Sequence, residues 1–404
     1  LKKGDLALLH NAIDAQALID LKILLVIACV LLLSPYIAKL LKLPVSATEI
    51  ILGALAAFFG FVGKSENFHL LANVGFYFLM FIAGMEVNLR LFFTMQKSLF
   101  RRSIFYISLL YLISFIAVSA YGLSLIFVII LPVMSVGLLS ILFKDFGKDC
   151  EWLNLAMLVA TLAEVVSIIL LTITGAFLQD TTLFDVGLNL LYLFAFLVFC
   201  LFGFKILGIL FWWYPNLRLV LMPWQDKNEK DIRFCMAILI LVIITMILAH
   251  LEIALGAFIA GSFIATFFNH KKDLEEKLAG FGYGFLIPIF FIYIGSTLNL
   301  HLLVELGVLE DALYLLLAMI GLRLVCALVF LKKLELKNTI LFALSHSMPL
   351  TLLIATATLG FNAKVIDFEL YSALILTALL EAVFAMSLIK LITNFKKVTN
   401  EYKA

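Results

Sequence analysis

Apolar residues run in long blocks along this chain. Short polar or turn-forming breaks separate them, and no block shows the strict alternation of a membrane β-strand. Thirteen blocks read as helices, at about 21–41, 46–63, 68–91, 102–121, 123–143, 151–178, 185–214, 233–250, 253–269, 279–300, 308–331, 338–360 and 370–395. A hydrocarbon layer about 30 Å thick takes about 20 helical residues to cross. The pattern predicts an all-α polytopic membrane protein with 13 transmembrane helices. The second block is short, and the breaks at Gly122 and at 250–252 are tight.

The positions of Lys and Arg test that count, because cytoplasmic loops collect them. Thirteen crossings place 22 of the 29 basic residues on one side and 5 on the other, with Lys205 and Arg323 inside blocks. A wrong count before the middle of the chain would mix the two sets. The split predicts an outside N-terminus and a cytoplasmic C-terminus, and the membrane expected is a bacterial inner (cell) membrane. The loops are short, so residues 1–404 read as a single transmembrane domain. The charged stretch 223–231 reads as a cytoplasmic linker.

Composition agrees: 64% of residues are hydrophobic and 14% charged, far from a soluble domain. The net charge of +2 gives no pull towards nucleic acid, so none is expected as a partner. Cys29, Cys200, Cys235 and Cys326 lie in apolar blocks and Cys150 at an edge, which reads as small core residues rather than disulfides or a metal site. The first apolar block is long and lacks an A-x-A exit, so no cleavable signal is expected.

The blocks divide into a first repeat at 21–178, a linking helix at 185–214 and a second repeat at 233–395. A linking helix between two six-helix halves sets them in opposite orientation, as in transporters built from inverted repeats. The fifth helix of each half is interrupted. One carries Leu131-Pro132-Val133-Met134-Ser135-Val136-Gly137, the other Ser345-His346-Ser347-Met348-Pro349-Leu350-Thr351. Proline removes a helical hydrogen bond and clashes with the preceding turn. At membrane depth the freed backbone groups are tolerable only against protein or a water-filled cavity. The matched positions predict two broken helices built around Pro132, Ser345, His346 and Pro349.

Four of the ionisable residues within blocks carry the candidate chemistry. A carboxylate at membrane depth is costly and marks a functional site; Glu164 sits near the middle of 152–178. Asn154, Thr161, Glu164 and Ser167 recur on a similar helical face, a polar stripe able to offer oxygens to a hard monovalent cation. The alternative is a structural carboxylate paired with a base. Arg323 stays charged in essentially any protein environment. Its candidate partners are the carbonyl ends of the broken helices, Glu164 and Glu381. Glu381, the inverted counterpart of Glu164, is either the partner of Arg323 or a second titrating group. His346 is either a hydrogen-bonded structural residue or a proton relay. No H-E-x-x-H or G-x-S-x-G motif is present, so no enzyme is expected.

Three segments carry a family resemblance: Phe81-Ile82-Ala83-Gly84-Met85-Glu86-Val87-Asn88, Leu255-Gly256-Ala257-Phe258-Ile259-Ala260-Gly261, and the more specific Phe285-Leu286-Ile287-Pro288-Ile289-Phe290-Phe291-Ile292-Tyr293-Ile294-Gly295. In these the chain resembles the monovalent cation:proton antiporter-2 family, the sodium/proton exchangers and Kef-type potassium/proton antiporters. The resemblance implies a core domain with two crossed broken helices, a dimerisation domain and hence a homodimer. It matches the family's ion-binding carboxylate to Glu164 and its basic residue to Arg323. Family members usually carry an acid or amide before the carboxylate, which is usually Asp; here the pair is Ala163-Glu164. Together with Arg323 this departure implies one-for-one, electroneutral exchange.

The sequence therefore predicts a secondary-active Na⁺ or K⁺/proton antiporter working by alternating access. No cofactor is expected beyond the transported ions. Glu164, Thr161, Ser167 and Ser135 are the expected cation- and proton-binding residues, with Glu164 holding the monovalent cation. Arg323 and Glu381 are expected to compensate charge. The rival readings are a sodium-coupled organic-anion symporter of related fold and a non-transporting membrane sensor domain.

Overall fold

A computed structural model of the protein describes residues 3–41, 43–63, 65–86, 96–139, 142, 150–179, 183–214, 216, 222, 229–249, 251, 253–268, 272–298 and 306–401. Every ordered element among them is helical. In chain order these are α1 Lys3–Leu41, α2 Val45–Phe58, α3 Glu66–Glu86, α4 Lys97–Tyr121, α5 Phe127–Ile130, α6 Glu151–Gln179, α7 Leu183–Trp213 and α8 Lys230–Leu248. They continue as α9 Ile253–Phe267, α10 Lys272–Phe281, α11 Ile287–Thr297, α12 Leu306–Ala327, α13 Leu331–His346, α14 Leu350–Asn362 and α15 Phe368–Glu401.

Eight described stretches are long and apolar enough to cross a bilayer, and four shorter apolar helices accompany them, among them α2, α9 and α14. The protein is a multi-pass membrane protein. Most of the linker expected at 223–231 lies outside the described residues.

Local sequence explains the ends and irregularities. Gly122 closes α4 with φ +64, a left-handed conformation that costs glycine nothing. Between α10 and α11 the chain makes one π turn, Gly282–Leu286, just before Pro288. Proline cannot donate to the preceding turn, and a π turn absorbs that loss without breaking the span. Glu335, at φ 61, bends the start of α13, so the helix proper begins close to the limit read from hydropathy.

Apart from α7, which packs against α6, the helices pack as two groups. One contains α1, α2, α3, α8, α9, α10 and α11; the other contains α4, α5, α6, α12, α13, α14 and α15. The closest pairings in the first group are α3 with α9 and α2 with α11, and glycine makes both. A Cβ on Gly84 would overlap the carbonyl of Phe258, and one on Gly261 that of Phe81. Likewise a Cβ on Gly53 would overlap the carbonyl of Ile292, and one on Gly295 that of Ile50. Each pair is reciprocal, so backbones touch where side chains would hold them apart. Small residues promote helix association in lipid for this reason. The resulting group is close-packed, while Leu21, Leu24, Leu25 and Leu32 of α1 stay exposed on its rim, as a lipid-facing surface requires.

The second group holds both expected breaks. The helical hydrogen bonding of α5 stops at Ile130, and residues 131–136 run non-helically through Pro132. The helix α13 ends at His346, and Ser347, Met348 and Pro349 separate it from α14. The half-helix α13 packs against α6, and α14 packs against α5 and α15. The two breaks are thereby brought against each other beside α6.

Candidate ion-binding site

The middle of α6 faces the breaks, and Glu164 is fully buried there. The hydroxyl of Ser135, in the first break, donates to its Oε1 at 3.0 Å. The backbone N–H of Val136 also donates to the carboxylate. That N–H is free for the purpose because the helix is interrupted at Pro132. The hydroxyls of Ser135 and Thr351 lie 2.8 Å apart and join the first break to the first turn of α14. The other oxygen of Glu164, Oε2, makes no hydrogen bond among the described residues.

Arg323 is also fully buried. Its guanidinium ties three elements together. Nη1 donates to Met319 O of its own helix at 2.9 Å and to Glu381 Oε1 of α15 at 3.0 Å. Nη2 donates to Val133 O at 2.5 Å. Val133 lies in the non-helical stretch 131–136, so its carbonyl stands outside the ladder of α5, and the guanidinium supplies it a hydrogen bond. Two of the three partners considered for Arg323 are therefore engaged at once. Glu164 has no ion pair with it among the described residues.

His346 ends α13 with both ring nitrogens engaged. Nε2 lies 3.0 Å from the Ala156 carbonyl and Nδ1 lies 3.1 Å from the Tyr106 hydroxyl. A carbonyl only accepts, so Nε2 carries the hydrogen, and in the neutral ring Nδ1 accepts from Tyr106. The ring also packs 4.3 Å from that of Phe342. It pins the second break to α6 two turns before Glu164. This is the arrangement of a hydrogen-bonded structural residue. Ser345 turns its hydroxyl back onto Phe342 O at 2.7 Å.

The expected polar stripe on α6 is only partly gathered. Ser167 is buried and shares a hydrogen bond of 3.0 Å with the Tyr111 hydroxyl of α4. Thr161 is half-buried and its hydroxyl donates to Met157 O at 2.7 Å. Neither is hydrogen-bonded to Glu164 among the described residues. Thr351 is brought in instead, although sequence reasoning singled it out only as part of the second break. The available signal was that both breaks carry a hydroxyl beside the proline. Among the described residues no group of three His, Cys, Asp or Glu side chains gathers, and the hydroxyls linked to Glu164 are those of Ser135 and, through it, Thr351.

A cavity of about 640 Å³ opens between the two helix groups. His69, Tyr293 and Thr297 line it from one group, and Thr358, Asn362 and Tyr371 from the other. Leu171 forms part of its wall, two turns along α6 from Glu164.

The sequence and the fold are both similar to known proteins. The sequence is similar to the putative Na(+)/H(+) antiporter YjbQ of Bacillus subtilis, 27% identical over 391 residues, covering 89% of this chain and 61% of that protein. It is 24% identical over 392 residues to the probable Na(+)/H(+) antiporter 3 of Methanocaldococcus jannaschii, covering 90% and 94%. The fold is similar to that of the sodium proton antiporter MjNhaP1 from Methanocaldococcus jannaschii, solved at pH 8. The TM-score is 0.66 over 92% of this chain and 97% of that one, at 16% identity. The chain thus spans about three-fifths of the Bacillus protein. The family described as "Sodium/hydrogen exchanger, transmembrane" matches residues 26–394, and the cation:proton antiporter resemblance read from the motifs holds at that level. With the match running over nearly the whole sequence, this chain belongs to the sodium/hydrogen exchanger family.

Proposed function

We propose that the protein exchanges a monovalent cation, Na⁺ or K⁺, for a proton at Glu164. One observation carries the reading: a fully buried carboxylate lies where two interrupted helices meet, with one oxygen held by Ser135 and the other without a hydrogen-bond partner among the described residues. The two named antiporters and the matched family support it. A proton or a cation neutralises the carboxylate equally well, so the two compete for one site. The loaded site can cross the hydrocarbon, and the empty anion is held back by its desolvation cost. That rule converts alternating access into coupled exchange.

Charge compensation supports a one-for-one cycle. Arg323 and Glu381 form a buried pair at 3.0 Å whose charges cancel. The charge that changes is then that of Glu164, and the site carries the same net charge loaded with a cation or with a proton. The moving body in this reading is the helix group that holds both breaks, and the close-packed glycine-paired group is the scaffold. The matched pairs α3–α9 and α2–α11 are what an inverted repeat of 21–178 with 233–395 would produce. The scaffold's exposed apolar face is suited to a homodimer. The charge split supports an outside N-terminus, in what we read as a bacterial inner membrane. The cavity beside Tyr371 and Lys364 then lies on the outer side.

Proteoliposomes containing a pH dye test the proposal. A Na⁺ or K⁺ pulse is expected to move protons, at a rate unchanged by an imposed membrane potential. Absence of cation-dependent proton movement would reject antiport, and acceleration by the potential would reject electroneutrality.

A further inference from the structure

We infer that Thr351 is a further residue of the ion site and supplies a cation-coordinating oxygen, while Ser135 orients the carboxylate. The inference rests on Glu164 being the exchange site. It comes from the hydrogen-bond inventory at the two breaks.

A serine hydroxyl has one hydrogen and two acceptor positions. An ionised carboxylate only accepts, so the Ser135 hydrogen goes to Glu164 Oε1, 3.0 Å away. The Ser135 oxygen accepts from the Gly137 backbone N–H at 3.4 Å. The hydroxyls of Ser135 and Thr351 are 2.8 Å apart, and with the Ser135 hydrogen committed, Thr351 is the donor. Ser135 is therefore filled: one bond given and two received. Its role is to fix the rotamer of Glu164.

Thr351 differs from the other threonines of the helices. Thr161, Thr245, Thr266, Thr356 and Thr358 each donate to the carbonyl four residues earlier in their own helix. Thr351 sits in the first turn of α14, which starts at Leu350, so no helical carbonyl lies four residues behind it. Its hydrogen crosses to the other break. Both oxygen lone pairs then remain for a ligand, and the side chain is only 7% exposed. Glu164 Oε2, fully buried and without a hydrogen-bond partner among the described residues, is the second oxygen in this neighbourhood with free coordinating capacity. One anionic and one neutral oxygen, contributed by α6 and α14, suit a partly dehydrated alkali cation. The neutral oxygen does the work that the residue before the carboxylate, Ala163, cannot do.

The test compares Thr351→Val, Thr351→Ser and Glu164→Gln in proteoliposomes, reading the cation KM, the maximal rate and the Li⁺:Na⁺:K⁺ preference. Valine keeps the shape and removes the oxygen. Loss of one hydroxyl ligand to a charged group is expected to raise the cation KM about tenfold and to change the cation preference, with a much smaller change in maximal rate. Thr351→Ser is expected to restore both KM and preference. If Thr351→Val does not reconstitute, Thr351→Ala carries the same expectations. A parental KM and parental cation preference in the valine or alanine variant would overturn the inference. Exchange persisting in Glu164→Gln would instead overturn the underlying site, whatever the Thr351 variants do.

Discussion

At the scale of single residues, what marks this protein is a set of polar groups that water cannot reach. Glu164, Arg323 and Glu381 are each fully buried. The sequence exposed all three, because an ionisable residue inside an apolar block is conspicuous however the chain folds. It did not reveal who pairs with whom. Arg323 bonds Glu381 and Val133 O together, a choice fixed by the rotation of α12 against α15 and the first break, which no local pattern encodes. Thr161 and Thr351 make the same point. On a helical wheel Thr161 looks like a ligand, and its hydroxyl donates to its own backbone, while Thr351 arrives from far along the chain. Breaking one member of a buried ion pair leaves an uncompensated charge and costs about 3–5 kcal/mol. Arg323→Met and Glu381→Met are each expected to lower thermal stability of the purified protein. The double variant should lose less than the sum of the two, read as a coupling in a double-mutant cycle. Simple additivity would mean that the pair is not a unit. Likewise, His346→Ala removes the extra bond to the Ala156 carbonyl and leaves the Tyr106 hydroxyl without its ring acceptor, and is expected to cost about 1–3 kcal/mol, measured in the same unfolding assay.

Among the elements, the breaks and the glycine contacts have different legibility. Pro132 and Pro349 announced both interruptions, since proline is incompatible with a continuous helix whatever surrounds it. The limits of the apolar blocks lie close to the ends of most helices because hydrocarbon thickness fixes span length. The glycine pairs were unreadable, for a glycine in a span is equally compatible with a lipid face. Only packing shows that Gly84 and Gly261, or Gly53 and Gly295, let carbonyls meet backbone. Gly295→Val is therefore expected to separate α2 from α11 and to cost at least the 1–3 kcal/mol typical of overpacking, by about the measure seen in tight cores. Gly280→Ala, where an added Cβ meets nothing within 4 Å, should be neutral or slightly stabilising. Thermal unfolding in detergent distinguishes them, and equal losses in both would contradict the packing described.

Over the whole molecule, two helix groups meet along a surface that includes a cavity of about 640 Å³ near the ion site. The family motifs anticipated the cation:proton antiporter family, since motifs are a property of sequence. The resemblance implied a core domain with two broken helices and a dimerisation domain, and packing shows which helices form the glycine-paired group and which the group carrying both breaks. Competition for one carboxylate has a consequence at this scale. Raising the pH removes the competing proton, so the apparent cation KM of exchange should fall as pH rises, by up to about tenfold per unit while protons hold the site, and then level off. A pH-independent KM would place the proton and the cation on different groups. The most direct measurement is cation-dependent proton flux in proteoliposomes carrying Glu164→Gln and Glu164→Asp beside the parental protein. With Glu164 as the shared site, the amide, which cannot exchange a proton, abolishes flux, and the shorter carboxylate retains it with an altered cation KM. Parental flux in Glu164→Gln would contradict it.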